Sequence, residues 1–144
     1  MPIEWPGGVS SAMSVQVEDN TGNPTNILDA GEATTLKITW TVPPGFAGLI
    51  AGSFRLRAYA ESIGPGQELQ LGPTVTEPVV VGQGPYDADI AVPPSTLLGE
   101  GELFGGVPVS GVYKIVAVLQ HLNGGIASEA SGFAEATFRM FRTP

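Results

Sequence analysis

Apolar and polar residues alternate with a period of two in several separate segments of this sequence. In the clearest segment, Leu36, Ile38 and Trp40 alternate with threonines and a lysine. This is the pattern of a half-buried antiparallel strand. The same alternation recurs at 53–61, 86–92, 111–121 and 133–142. No segment shows the 3.6-residue period of a helix, so the sequence predicts an all-β chain.

Glycine and proline separate these segments. The 144 residues include 20 glycines and 13 prolines without a fixed period, which favours short strands joined by turns over collagen or solenoid repeats. The length fits one domain. We therefore predict a single antiparallel β-sandwich of seven to eight strands at 13–144, with a small closed barrel as the alternative. An irregular N-terminal arm is expected at 1–12, attached to the body through Trp5.

Three connecting segments carry further expectations. Leu69 and Leu71 are expected on a short edge strand, and residues 122–131 are expected to form a turn or loop. The segment at 93–110 contains four bulky apolar residues: Leu97, Leu98, Leu103 and Phe104. A long loop of this composition is expected to fold back onto the body.

The order of the segments resembles immunoglobulin-like and fibronectin-III-like sandwiches. Gly111-Val112-Tyr113 opens an apolar strand before a hairpin to the C-terminal strand, like the F–G region of such domains. Ala30-Gly31-Glu32 leads into the strand that carries Trp40, which lies on the second strand where antibody domains have it on the third. The resemblance implies that three strands are neighbours in one sheet, those at 53–61, 111–121 and 132–142. It implies no function by itself, because this fold hosts many unrelated functions.

Charge and cysteine content exclude several classes of function. The net charge of −8 disfavours binding to nucleic acids and to anionic membranes. The absence of cysteine excludes disulfides, thiolate nucleophiles and zinc–thiolate sites. The first residues lack the charged and apolar regions of a secretory signal, so we expect a cytoplasmic location. Export by a non-classical route and removal of an earlier signal are the alternatives.

Candidate catalytic groups are few. His121 is the sole histidine, it follows a strand without a nucleophile motif, and we expect it to be solvent-exposed. Carboxylate pairs such as Glu100 and Glu102 sit beside glycines, where they are expected to face water. No carboxylate is marked as desolvated, as an acid catalyst requires. The sequence therefore predicts a protein that is not an enzyme and uses no cofactor.

Acidic loops provide an alternative function, a calcium- or carbohydrate-binding module. Oxygen-bearing side chains crowd the first long turn: Asp19, Asn20, Asn23, Asn26, Asp29 and Glu32. Calcium takes six to eight oxygen ligands. Asp87 and Asp89 also share one strand face. However, such residues are typical of any turn, so no metal site is assigned.

The distribution of basic residues favours a protein-contact function. Alternation places interface-type residues on the outward face of the three neighbouring strands: Arg55, Arg57, Tyr59, Lys114, Val116, Val118, Arg139 and Phe141. Tyrosine and arginine are frequent at protein interfaces. We therefore predict a non-catalytic module, a structural or adaptor subunit of a larger assembly, that binds an acidic protein or a second copy as a homo-oligomer. The alternatives are that the arm or the 93–110 loop covers this face, or that a register shift reverses it.

Overall fold

The computed structural model describes residues 2–143, apart from the side chains of residues 2, 127 and 129. Its strands, in chain order, are β1 (Pro2–Trp5), β2 (Val9–Glu18), β3 (Ile27–Asp29), β4 (Thr34–Thr41), β5 (Ser53–Ser62), β6 (Glu68–Pro78), β7 (Pro85–Val92), β8 (Leu103–Phe104), β9 (Val107–Pro108), β10 (Val112–Asn123) and β11 (Ile126–Phe141). A 3₁₀ turn at Pro6–Gly8 and a single-turn helix α1 (Pro44–Ala47) are the exceptions to an all-β chain. The predicted all-β class is therefore confirmed. Among the described residues, no helix is long and apolar enough to cross a membrane.

Eight strands follow one another in a single antiparallel path, β6-β5-β10-β11-β1-β2-β4-β7, and β3 adds in parallel to β11. One layer contains β6, β5, β10 and β11, the other contains β2, β4 and β7, and β1 joins them. The two end strands, β6 and β7, lie close together. A Cβ added to Gly72 of β6 would lie 2.5 Å from the Ala91 carbonyl oxygen of β7. The sandwich is therefore nearly closed.

The core lies between the two layers and follows the predicted alternation. Leu36, Ile38 and Trp40 of β4 are buried. Trp40 stacks on Tyr86 of β7, with ring centroids 5.5 Å apart. Phe54 of β5 packs edge-on against both rings. Aromatic side chains from both layers thus meet at one end of the core, which fixes the side to which each strand presents its remaining residues.

The irregular arm predicted at 1–12 is wrong for the residues that the structure describes. β1 pairs with β11 on one side and with β2 on the other. Ile3 is fully buried. Trp5 is also buried, and its Nε1–H donates to Ser11 Oγ at 2.9 Å. The N-terminal segment is therefore an integral strand of the sandwich, held by hydrogen bonds on both edges.

Three connecting segments also differ from expectation. β6 has 11 residues, so it is an edge strand as predicted but not a short one. The expected loop at 122–131 shrinks to a tight turn, since Asn123 pairs with Ile126. Within 93–110, Leu97 is buried as expected, whereas Leu103 and Phe104 are exposed on the small β8–β9 hairpin. The 93–110 segment thus packs on the body near its two ends, through Leu97 and Val109, and its hairpin projects into solvent.

Candidate interaction surface

The outward face, meaning the solvent side of β5, β10 and β11, brings six of the eight predicted residues together. β10 pairs with β5 and with β11, as the resemblance implied. Val116 lies opposite Tyr59, and Val118 lies opposite Arg57. Arg55 and Lys114 belong to the same set of strands and alternate with buried residues. All six side chains are partly exposed.

The other two predicted residues, Arg139 and Phe141, lie apart from this group. Arg139 is opposite Val112 at the start of β10. Its Nε–H donates to Glu100 Oε2 at 3.1 Å, so the 93–110 segment reaches this end of the face. Phe141 lies next to β3 in register with Asp29. At this end, therefore, the outward face is contacted by the 93–110 loop, as one of the alternatives predicted.

Positive charge on the face is more concentrated than the sequence predicts. Lys114 Nζ lies 3.8 Å from Glu135 Oε1, and Glu61 is opposite Lys114 on β5. These carboxylates offset the lysine charge, and an exposed pair of this kind contributes little stability. The excess positive charge lies at Arg55 and Arg57, here called the arginine pair.

The arginine pair converges on one acceptor. Both guanidinium groups donate to Gln120 Oε1 on β10, Arg57 at 3.0 Å. The Nε–H of Arg55 is buried and has no hydrogen-bond partner. Among the described side chains, no carboxylate forms an ion pair with either arginine. Since each guanidinium has five N–H donors in a fork that matches a carboxylate, most of this donor capacity is unused.

An open groove of about 710 Å³ runs beside the arginine pair. Val116, Val118, Phe133 and Gln120 line this groove. Glu4 of β1, which pairs with Ser131 of β11, also lines it. Gln120 was not among the predicted site residues, although the alternation that selects Val116 and Val118 also selects Gln120. Glu4 had no such signal, because its strand was predicted to be irregular.

His121 is buried, so the prediction of an exposed histidine is wrong. Its Nε2 lies 2.7 Å from the Ala51 carbonyl oxygen, and its Nδ1 lies 2.8 Å from Ser128 Oγ. A carbonyl only accepts, so Nε2 carries a proton and donates it. Ser128 Oγ in turn accepts from the Ala130 N–H at 3.1 Å. Both ring nitrogens are thus engaged in joining β10, β11 and the segment before β5, which favours a structural role.

Two acidic residues of the first turn, Asp19 and Asp29, accept hydrogen bonds within the fold. Asp19 Oδ1 accepts from the Thr21 N–H at 2.9 Å, the Thr21 hydroxyl at 2.6 Å and the Asn23 N–H at 3.0 Å. The Thr21 hydroxyl is the main reason that the pKa of Asp19 is lowered. Likewise, the Thr143 hydroxyl lowers the pKa of Asp29. Within the described part of the chain, no three His, Asp or Glu residues group as metal ligands would. The calcium alternative stays a prediction without a cluster to support it.

The strands form a nearly closed antiparallel β-sandwich, and their order is similar to that of immunoglobulin-like folds. No protein-family model matches the sequence, and no curated protein matches it. A solved CARDB domain from Pyrococcus furiosus, in complex with di-metal ions, is similar in fold, with TM-score 0.50 and 12% identity over 92% of this chain and 96% of that one. A β-glucosidase from Listeria innocua has TM-score 0.51 and 12% identity over 94% of this chain. The chain spans only 17% of that enzyme. At these identities the likeness shows the fold alone.

Proposed function

We propose that this chain is a non-catalytic β-sandwich module that acts by protein–protein contact, as a structural or adaptor subunit of a larger assembly. The contact surface is the part of the outward face formed by the arginine pair, Gln120 and the adjoining groove. The observation that carries the proposal is the convergence of two arginines on one amide oxygen without a carboxylate. Arginine is among the residues that contribute most to interface affinity.

The neighbouring side chains support this role. Val116 and Val118 are partly exposed in the groove, and Phe133 is 39% exposed. Protein interfaces typically have an apolar centre and a polar margin. The apolar groups here lie beside cations that can form bidentate hydrogen bonds, which fits that composition. A carboxylate arriving from a partner would use the donors that Gln120 leaves free, in surroundings partly shielded from water.

A non-catalytic role is supported by the state of the groups that could catalyse. The ring nitrogens of His121 are both hydrogen-bonded within the fold. Glu102 accepts from the Arg142 Nε–H at 2.9 Å, and this bond is the main cause of its lowered pKa. A lowered carboxyl pKa is the opposite of what a general acid needs at neutral pH.

Site-specific photo-crosslinking in the expressing cell tests the proposal. A photoreactive residue at position 118 in the groove should yield an adduct of defined mass, and the same residue at exposed Thr21 is the matched control. Arg55→Glu with Arg57→Glu should abolish the adduct, because the reversed charges would repel an acidic partner. An adduct that survives this double substitution, or none from positions 116, 118 and 133, would contradict the proposal.

A further inference from the structure

The second layer carries a pair of carboxylates that mirrors the arginine pair. Asp87 and Asp89 of β7, here called the aspartate pair, are exposed and alternate with buried Tyr86, Ala88 and Ile90. β7 belongs to the layer opposite β5. The aspartate pair therefore faces away from the molecule on the side opposite the arginine pair.

The surface around the aspartate pair is acidic. Glu18 of β2 shares this outward side with the aspartate pair, and Lys37 of β4 is the cation there among the described side chains. Three acids against one lysine leave a formal charge of −2. Lys37 lies opposite Asp89 in register, yet the described side chains form no ion pair between them. The aspartate carboxylates are thus available to an outside cation.

The two pairs also match in spacing. Each consists of residues i and i+2 on a strand, so the Cα atoms of each pair are separated by about 6.8 Å. Sheets that pack face to face lie about 10 Å apart, a distance within the combined reach of an arginine and an aspartate side chain. Asp87 borders an open depression of about 430 Å³ that also includes Ser14 and Thr39, so the surface there is concave enough to admit side chains.

We propose that the arginine pair of one copy binds the aspartate pair of a second copy of this chain. The inference rests on the proposed function and names the partner of the same face. Because the two surfaces differ and lie on opposite layers, the contact is head-to-tail, and two joined copies together retain one free arginine pair and one free aspartate pair. Such contacts generate rings when the rotation closes and filaments when it does not.

Charge reversal on each side, followed by mixing, tests the pairing. One variant carries Arg55→Glu and Arg57→Glu, and the other carries Asp87→Arg and Asp89→Arg. Light scattering and sedimentation velocity at low salt should show that each variant alone self-associates at least about tenfold more weakly than the wild type. An equimolar mixture of the two should recover association, because the reversed surfaces complement each other. High salt should weaken the wild-type association.

Control variants and readouts separate the outcomes. Asp89→Arg alone should weaken association, whereas Glu32→Arg, which changes the net charge by the same amount from an exposed turn, should leave association unchanged. A wild type that is monomeric at every concentration and salt overturns the pairing, as does a mixture that recovers nothing. If the aspartate variant associates normally while the crosslink at position 118 persists, the second copy is overturned and the protein-contact function stands. If the arginine variant associates normally and retains the crosslink, both fail.

Discussion

Replacing Phe54 with alanine tests the register on which the whole surface depends. Phe54 is fully buried, with ring centroids 5.5 Å from Trp40, 5.0 Å from Tyr86 and 5.6 Å from His121. Its neighbour on β5 is Arg55, which faces the opposite side. A register shift of one residue would exchange the two. The stability cost of removing the ring therefore reports the direction in which the arginine pair faces.

The expected cost follows from the burial of this ring. Truncating a buried phenylalanine to alanine costs about 3–5 kcal/mol, from lost transfer free energy and the cavity left behind. The value should lie in the upper half of that range, because two edge-to-face aromatic contacts are also lost. For a domain of this size the melting temperature should fall by about 10–15 °C. Phe104→Ala is the matched control: Phe104 is 50% exposed on the β8–β9 hairpin, so its loss should cost less than about 1 kcal/mol.

Urea unfolding followed by tryptophan fluorescence measures both variants on the same chain. The denaturant dependence of the unfolding free energy should stay constant, since the surface exposed on unfolding barely changes. A Phe54→Ala cost below about 1 kcal/mol, or equal costs for the two variants, would refute the assigned direction of β5. In that case the arginine pair would point into the core and the proposed surface would not exist.

Four further outcomes follow from particular groups. Burial is the main reason that the pKa of Tyr113 is raised, so the native state holds this proton more tightly and stability should fall as pH rises above about 10. Tyr113→Phe should make the melting temperature less dependent on pH in this range. An unchanged dependence would contradict this. The pKa of Asp19 is lowered, so the stability it contributes should be lost as pH falls below about 4, and Asp19→Asn should reduce that loss in the same assay. Gly72→Ala should lower the melting temperature more than Gly82→Ala, because both have positive φ but an added Cβ meets the neighbouring strand only at Gly72; equal losses would argue against the near-closure of the sheet. Added calcium should leave the melting temperature unchanged, and a concentration-dependent rise would favour the calcium-binding alternative.

Alternation along the sequence sufficed to predict the strands that build the outward face. A period of two assigns a side to every residue once one buried member is known. Trp40 and Phe54 supply that reference for their strands. The neighbourhood of β5, β10 and β11 came from the immunoglobulin-like order, and the register bears it out. The local pattern thus predicts which side of the sheet a residue faces, and the immunoglobulin-like strand order predicts which strands are its neighbours.

Features that depend on distant partners were beyond the reach of that pattern. β1 has four residues, begins with Pro2 and is followed by Pro6, a composition that disfavours a strand by itself. It forms because hydrogen bonds on both edges and burial of Ile3 stabilise it together. His121 is buried because the Ala51 carbonyl, 70 positions away, accepts from its ring. The sequence around β1 does not indicate the strands that pair with it, and the sequence around His121 does not indicate Ala51.

The arginine pair stands out because three of the four other basic residues form an ion pair with a carboxylate among the described side chains. Lys114, Arg139 and Arg142 each pair with a glutamate, although the chain has more than twice as many acidic as basic residues. With acids so abundant, ion pairs for Arg55 and Arg57 would be easy to provide, yet the described side chains offer them one neutral amide. Partly burying a guanidinium without a counter-charge costs free energy. Such a local cost is expected where function requires it. A carboxylate from outside the molecule would remove that cost, which is why the pair is better explained as half of an interface than as part of the fold.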